Sequence, residues 1–150
     1  MKTLTVILIF LSFLQTTILP INLVLIILIC RTFIKNNQSN LYLAFIFGLL
    51  LSHLSLVSMG SLSILYLVLV FLAQILSLSR SISSIFFLLP FGIFALLIDS
   101  FAKGLLLNIN ISFSISLIFS FLLIIPVFFL LKIFEERFIV RKDIKLKMRG

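Results

Sequence analysis

Between Lys35 and Arg80 the chain runs for 44 residues without an aspartate, glutamate, lysine or arginine. A helix needs ~20 apolar residues to cross a hydrocarbon core of ~30 Å, so this run is long enough for two crossings. A chain of 150 residues folded in water has no core large enough to hide it. The rest of the chain agrees, with 63% of residues hydrophobic and only 11% charged. Its apolar stretches are continuous rather than alternating, which predicts helices and not the strands of a barrel. The expected fold class is all-α, a polytopic integral membrane protein.

Proline, asparagine, glycine and charge divide the chain into six candidate spans, at about 3–19, 21–34, 41–57, 62–78, 82–98 and 111–131. Pro20 and Asn22 make the first turn, Asn36 to Asn40 a polar loop, and Ser58 to Ser61 the next break. Ser79-Arg80-Ser81 and the stretch from Asp99 to Asn110 separate the last three. Residues 1–131 thus read as a helical bundle and 132–150 as a basic cytoplasmic tail.

Orientation follows from the basic residues, which collect on the cytoplasmic side. With six crossings and a cytoplasmic N-terminus, eleven of the twelve lysines and arginines face inward and only Lys103 faces out. The competing arrangement fuses residues 3–30 into one tilted helix kinked at Pro20, giving five spans and an external N-terminus. The second span is short and is expected to cross by thinning the bilayer or by snorkelling of Arg31 and Lys35. Seven basic residues lie between Lys132 and Arg149. In that place they point to anionic lipid at the cytoplasmic face of the inner membrane, not to nucleic acid.

Little in the chain looks like chemistry. Cys30 has no second cysteine to pair with, and bulky Ile29 stands where lipoprotein processing wants a small residue. No A-x-A-like site follows the apolar stretch after Lys2, so the first helix is expected to stay. No nucleophile–base pair, phosphate loop or metal-ligand spacing is present. Of four acidic residues, Glu135, Glu136 and Asp143 lie in the tail. The expectation is no enzyme, no cofactor and no metal. Proton-coupled transport is disfavoured too, because it relies on a buried carboxylate.

Three polar residues inside the spans remain as candidates: Asn22, His53 and Gln74. His53 is the only ionisable side chain within the long run, which marks it for function. No second titratable group lies near it, so a neutral histidine bonded inside the bundle to Ser52 or Ser55 is favoured. Gln74 and Gln15 are expected to bond across helices. Asp99 and Lys103, four apart, read as a stabilised helix end. Pro90 and Gly92 predict a kink in the fifth span. Gly48, Ser52 and Ser55, with Gly60 beyond them, offer a smooth face for close helix approach. Ser112, Ser116 and Ser120 form a second such face. Either face fits internal packing or a partner helix.

The segment Ala44-Phe45-Ile46-Phe47-Gly48-Leu49-Leu50-Leu51-Ser52, followed by Gly60-Ser61-Leu62-Ser63 and Tyr66, resembles the G-F-x-x-G-L-x-x-D … G-x-x-x-x-x-Y segment of the bacterial rod shape-determining MreD family. Pro20-Ile21-Asn22-Leu23 with Arg31 is similar to that family's Pro-Asp-Leu helix and its basic end. Ala44 replaces a glycine, and Asn22 and Ser52 stand where carboxylates are common. The resemblance implies a non-enzymatic scaffold of the cell-elongation machinery, holding an MreC-like partner among the other proteins that place lateral peptidoglycan. On that reading the partner's single span docks on the Gly48–Ser52–Ser55 face.

The alternative is the substrate-binding membrane subunit of an energy-coupling-factor-type vitamin transporter, of similar size and span count. Such subunits dock through an A-x-x-x-A face, and Ala44, Ala73, Ala95 and Ala102 provide none.

Overall fold

The computed structural model describes residues 2–18, 21–58, 60–78, 85–107 and 115–147, with side chains described for 4–18, 21–58, 60–78, 86–107 and 117–136. Pro20, Arg80 and Ser112 lie outside these residues, as do the side chains of Ser116 and of the tail from Arg137 onward. The fold is all-helical, with six helices: α1 (Lys2–Thr17), α2 (Leu23–Ile34), α3 (Ser39–Leu54), α4 (Ser61–Leu78), α5 (Ile85–Leu107) and α6 (Ile115–Lys147). Three stretches, Ser61–Leu78, Phe86–Leu107 and Leu117–Glu136, are long and apolar enough to cross a membrane. The protein is in this respect compatible with a membrane protein.

α2 is the organising element. It has twelve residues, about 18 Å of helix at 1.5 Å per residue. Every residue from Val24 to Thr32 is buried, and α2 touches each of the other five helices. Its apolar residues therefore meet protein on all sides. Phe33 meets Phe91 of α5 with ring centroids 6.0 Å apart.

α3 packs along α4 through the face that carries Gly48. A Cβ built on Gly48 would overlap Ser63 Cα and stand 2.9 Å from Ser63 N and 3.0 Å from Leu62 O. Ser63 Oγ donates to Phe45 O at 2.9 Å across the same contact. The smooth face is thus consumed inside the chain, and Ser52 on it is fully buried. A partner helix has no access to it. This corrects the docking face expected above.

Two boundaries also differ from expectation. α5 continues eight residues beyond Asp99, to Leu107, so Asp99 and Lys103 lie within a helix rather than closing one. α6 runs without a break for 33 residues, so the bundle and the basic tail share one helix rather than meeting at residue 131. Pro90 and Pro126 sit inside these helices without ending them.

Candidate functional site

The two ends of α2 each hold a cluster of polar and charged groups. Asparagine at a helix N-cap ordinarily bonds the orphan backbone N–H groups of the first turn. Asn22 makes no such bond. Gln15 Oε1 of α1 takes that duty instead, accepting from Val24 N–H at 3.1 Å. The Asn22 amide is thereby free to turn toward α5. Its Nδ2 donates to Asp99 Oδ2, and its Oδ1 accepts from Lys103 Nζ at 2.6 Å. Lys103 Nζ also meets Asp99 Oδ2 at 2.9 Å, closing a triangle in which Asp99 is fully buried and Lys103 is 23% exposed. The Tyr66 hydroxyl of α4, itself fully buried, is placed beside Gln15 and Asp99. It closes no hydrogen bond of good geometry, and Asp99 Oδ1 is likewise unpartnered.

A cavity of about 490 Å³ lies against this cluster. Its polar wall comes from Gln15, Asn22, Ser55, Ser100, Lys103 and Ser120. Leu54, Leu56, Val57, Leu107 and Leu117 supply the apolar wall. They lie at the C-terminal ends of α1, α3 and α5, in the turn after α3 and at the N-terminal ends of α2 and α6, so the cavity sits at one end of the bundle. Leu56 stands out on its rim. Its backbone is left-handed, with φ 54°, and its side chain is 92% exposed. Such a φ is uncommon for a bulky residue and is held only where surrounding structure imposes it.

At the opposite end, Arg31 is buried, 4% exposed, and its Nε lies 3.5 Å from Glu135 Oε1 of α6. Lys35 Nζ approaches the other Glu135 oxygen at 3.8 Å. The loop after α2 is tied down there as well. Gln74 Nε2 donates to Asn37 O at 2.9 Å, Asn36 Nδ2 to Gln74 O at 3.0 Å, and Asn40 Nδ2 to Lys35 O at 2.8 Å. Asn22 and Arg31 are nine residues apart, about 14 Å along a helix axis. Between them lies the apolar run Val24–Cys30, all of it buried.

The structure thus brings Asn22 into a charged cluster and Ser55 to a cavity wall, and it places Gln74 in the loop lashing at the other end. Gly48 serves the α3–α4 contact, and Ser52 is buried. Gly60 adopts φ +91° in the turn before α4, with nothing within 4 Å of its Cβ position. His53 is exposed, contrary to the expectation of a histidine inside the bundle. The buried face of α3 is Leu43, Ala44, Phe47, Gly48, Leu51 and Ser52, and one further residue turns ~100° away from it. Asp99 corrects another expectation, because the chain does hold a buried carboxylate. Sequence reasoning missed the Arg31–Glu135 pair and Leu56. The signal for the pair was an arginine embedded in a span and needing an acid. For Leu56 there was none.

Among the described residues no group of three or more histidine, cysteine, aspartate or glutamate side chains is placed to hold a metal. Comparison with protein-family models, with curated proteins and with solved structures found no match.

Proposed function

We propose that this chain is a non-enzymatic, multi-pass scaffold of the cytoplasmic membrane, similar to MreD, that holds an MreC-like partner of the cell-elongation machinery. What supports the reading is where the residues of the resemblance fall. Asn22 and Tyr66 converge on one carboxylate, and Gly48 seats α4, so the described residues from Ile21 to Tyr66 work as one packed unit. Asn22 lacks the acid common at that position, and Asp99 of α5 brings a carboxylate to its side. With the Gly48 face occupied, the partner's span meets an outward face of the bundle instead.

The proposed topology has six crossings and cytoplasmic termini, by the inward bias of eleven of twelve basic residues. It puts the cavity and Lys103 on the outer side, Arg31 and Glu135 on the inner side, and the basic end of α6 against anionic lipid. Cysteines introduced at Gly60 and Asn108 are expected to react with a membrane-impermeant reagent from outside only. Labelling of residue 2 from outside would establish five spans.

The function is tested by co-purifying the protein from nanodiscs with an MreC-like protein, alongside a vitamin-binding assay. Stable capture of the partner is the expected result. Stoichiometric capture of a vitamin with no protein partner would favour the transporter subunit, a reading whose support is the cavity at Lys103.

A further inference from the structure

We propose that the cavity beside Lys103 is a binding site for a small amphipathic monoanion, a carboxylate or phosphate head on an apolar body. The site does not rest on the scaffold reading. An ammonium group carries three N–H donors. Asp99 Oδ2 and Asn22 Oδ1 take two of those on Lys103, and among the described residues the third has no acceptor. Lys103 lines the cavity, whereas Asp99 does not and is fully buried behind it. The wall therefore offers a cation, amides and hydroxyls, with no carboxylate among its described residues. That arrangement selects the sign of the ligand.

Asp99 limits the charge to one. Its carboxylate already pairs with Lys103, the one cation among the cavity's described lining residues, so a second negative charge in the ligand would meet no second cation. As an anionic head draws Lys103 toward the cavity, Asp99 needs a replacement donor. The Tyr66 hydroxyl is the group in place to supply it, since it and Asp99 Oδ1 are both buried and unpartnered. The apolar body follows from the other wall. Leu56 is held out on the rim in a left-handed backbone conformation, and Leu54 and Leu117 continue the surface inward. A ligand lying there covers a leucine that protein leaves bare. The volume, about 490 Å³, falls within the ~300–1,000 Å³ of small-molecule sites.

The test is equilibrium binding of radiolabelled decanoate to the full chain in phosphatidylcholine nanodiscs, corrected for empty discs, with decanol as the neutral match. Saturable binding of one decanoate per chain, at least tenfold tighter than decanol, is expected. Leu117→Trp, which fills the cavity without touching the charged groups, should weaken it at least tenfold. The double variant Asp99→Asn with Lys103→Gln removes both charges together and should abolish the preference for decanoate over decanol. Equal binding of the two probes to the native protein, or decanoate binding unchanged in Leu117→Trp, would overturn the proposal. Adding phosphatidylglycerol to the discs separates the sources of the head group. Competition with decanoate assigns the site to a lipid, its absence to a free solute, and both outcomes support the anion site.

Discussion

Gly48→Ala is expected to destabilise the fold by about 3 kcal/mol, at the upper end of overpacking effects. The added carbon meets backbone atoms of Ser63, which cannot swing aside as a side-chain tip would. Shortening Ser63 to glycine should accordingly fail to rescue the variant. Gly60→Ala is the matched control. Nothing crowds that site, and only its positive φ of +91° opposes a side chain, a cost of about 1 kcal/mol. Thermal unfolding of the three variants in one detergent checks the order, and a Gly48→Ala protein as stable as the native one would refute the close α3–α4 contact. The experiment also bears on partner binding. Loss of a partner in Gly48 variants would follow from damage to the bundle, so it must be judged against folding.

The second large effect is at Lys103. Replacement by methionine leaves Asp99 fully buried without its cation, and breaking such a pair from one side costs about 3–5 kcal/mol. Replacing both partners, with Asp99→Leu added, removes the stranded charge and should recover most of that loss. The prediction is thus a single variant less stable than the double, read by thermal unfolding. A double variant no better than the single would mean that the pair does not govern this end of the bundle. Asn22 limits the recovery, because both of its partners disappear in the double variant.

The helix count is legible because helices in such a chain are separated by residues that do not continue them, here Asn36 to Gln38 and the Gly60 turn. Where polar residues lie inside helices the same logic misled. Asp99 reads as a helix end by sequence, since a carboxylate is costly in an apolar environment. Its cost is met by Lys103 four residues on, which is legible, and by Asn22, 77 positions away, which is not. Gly48 was recognised as a close-approach residue, yet nothing local says whether the approaching backbone belongs to the same chain. His53 was misplaced because its neighbours do not reveal which face α3 turns inward. That face is set by the match of Gly48 to Ser63. The separation of roles between Gln15 and Asn22 at the start of α2 was hidden for the same reason, since it depends on a contact between helices.

The burial of α2 carries a consequence for how the protein is made. Arg31 is made 104 residues before Glu135, whose carboxylate pairs with it. In the proposed membrane setting the arginine must until then wait in water, at the lipid surface or in the insertion machinery, because an unpaired arginine in hydrocarbon is costly. α2 should therefore settle in place only after α6 has been made, although it precedes α6 in the chain. Nascent chains arrested before α6 would remain incompletely assembled and open to quality-control proteases, and the arrival of α6 would be the step that closes this bundle.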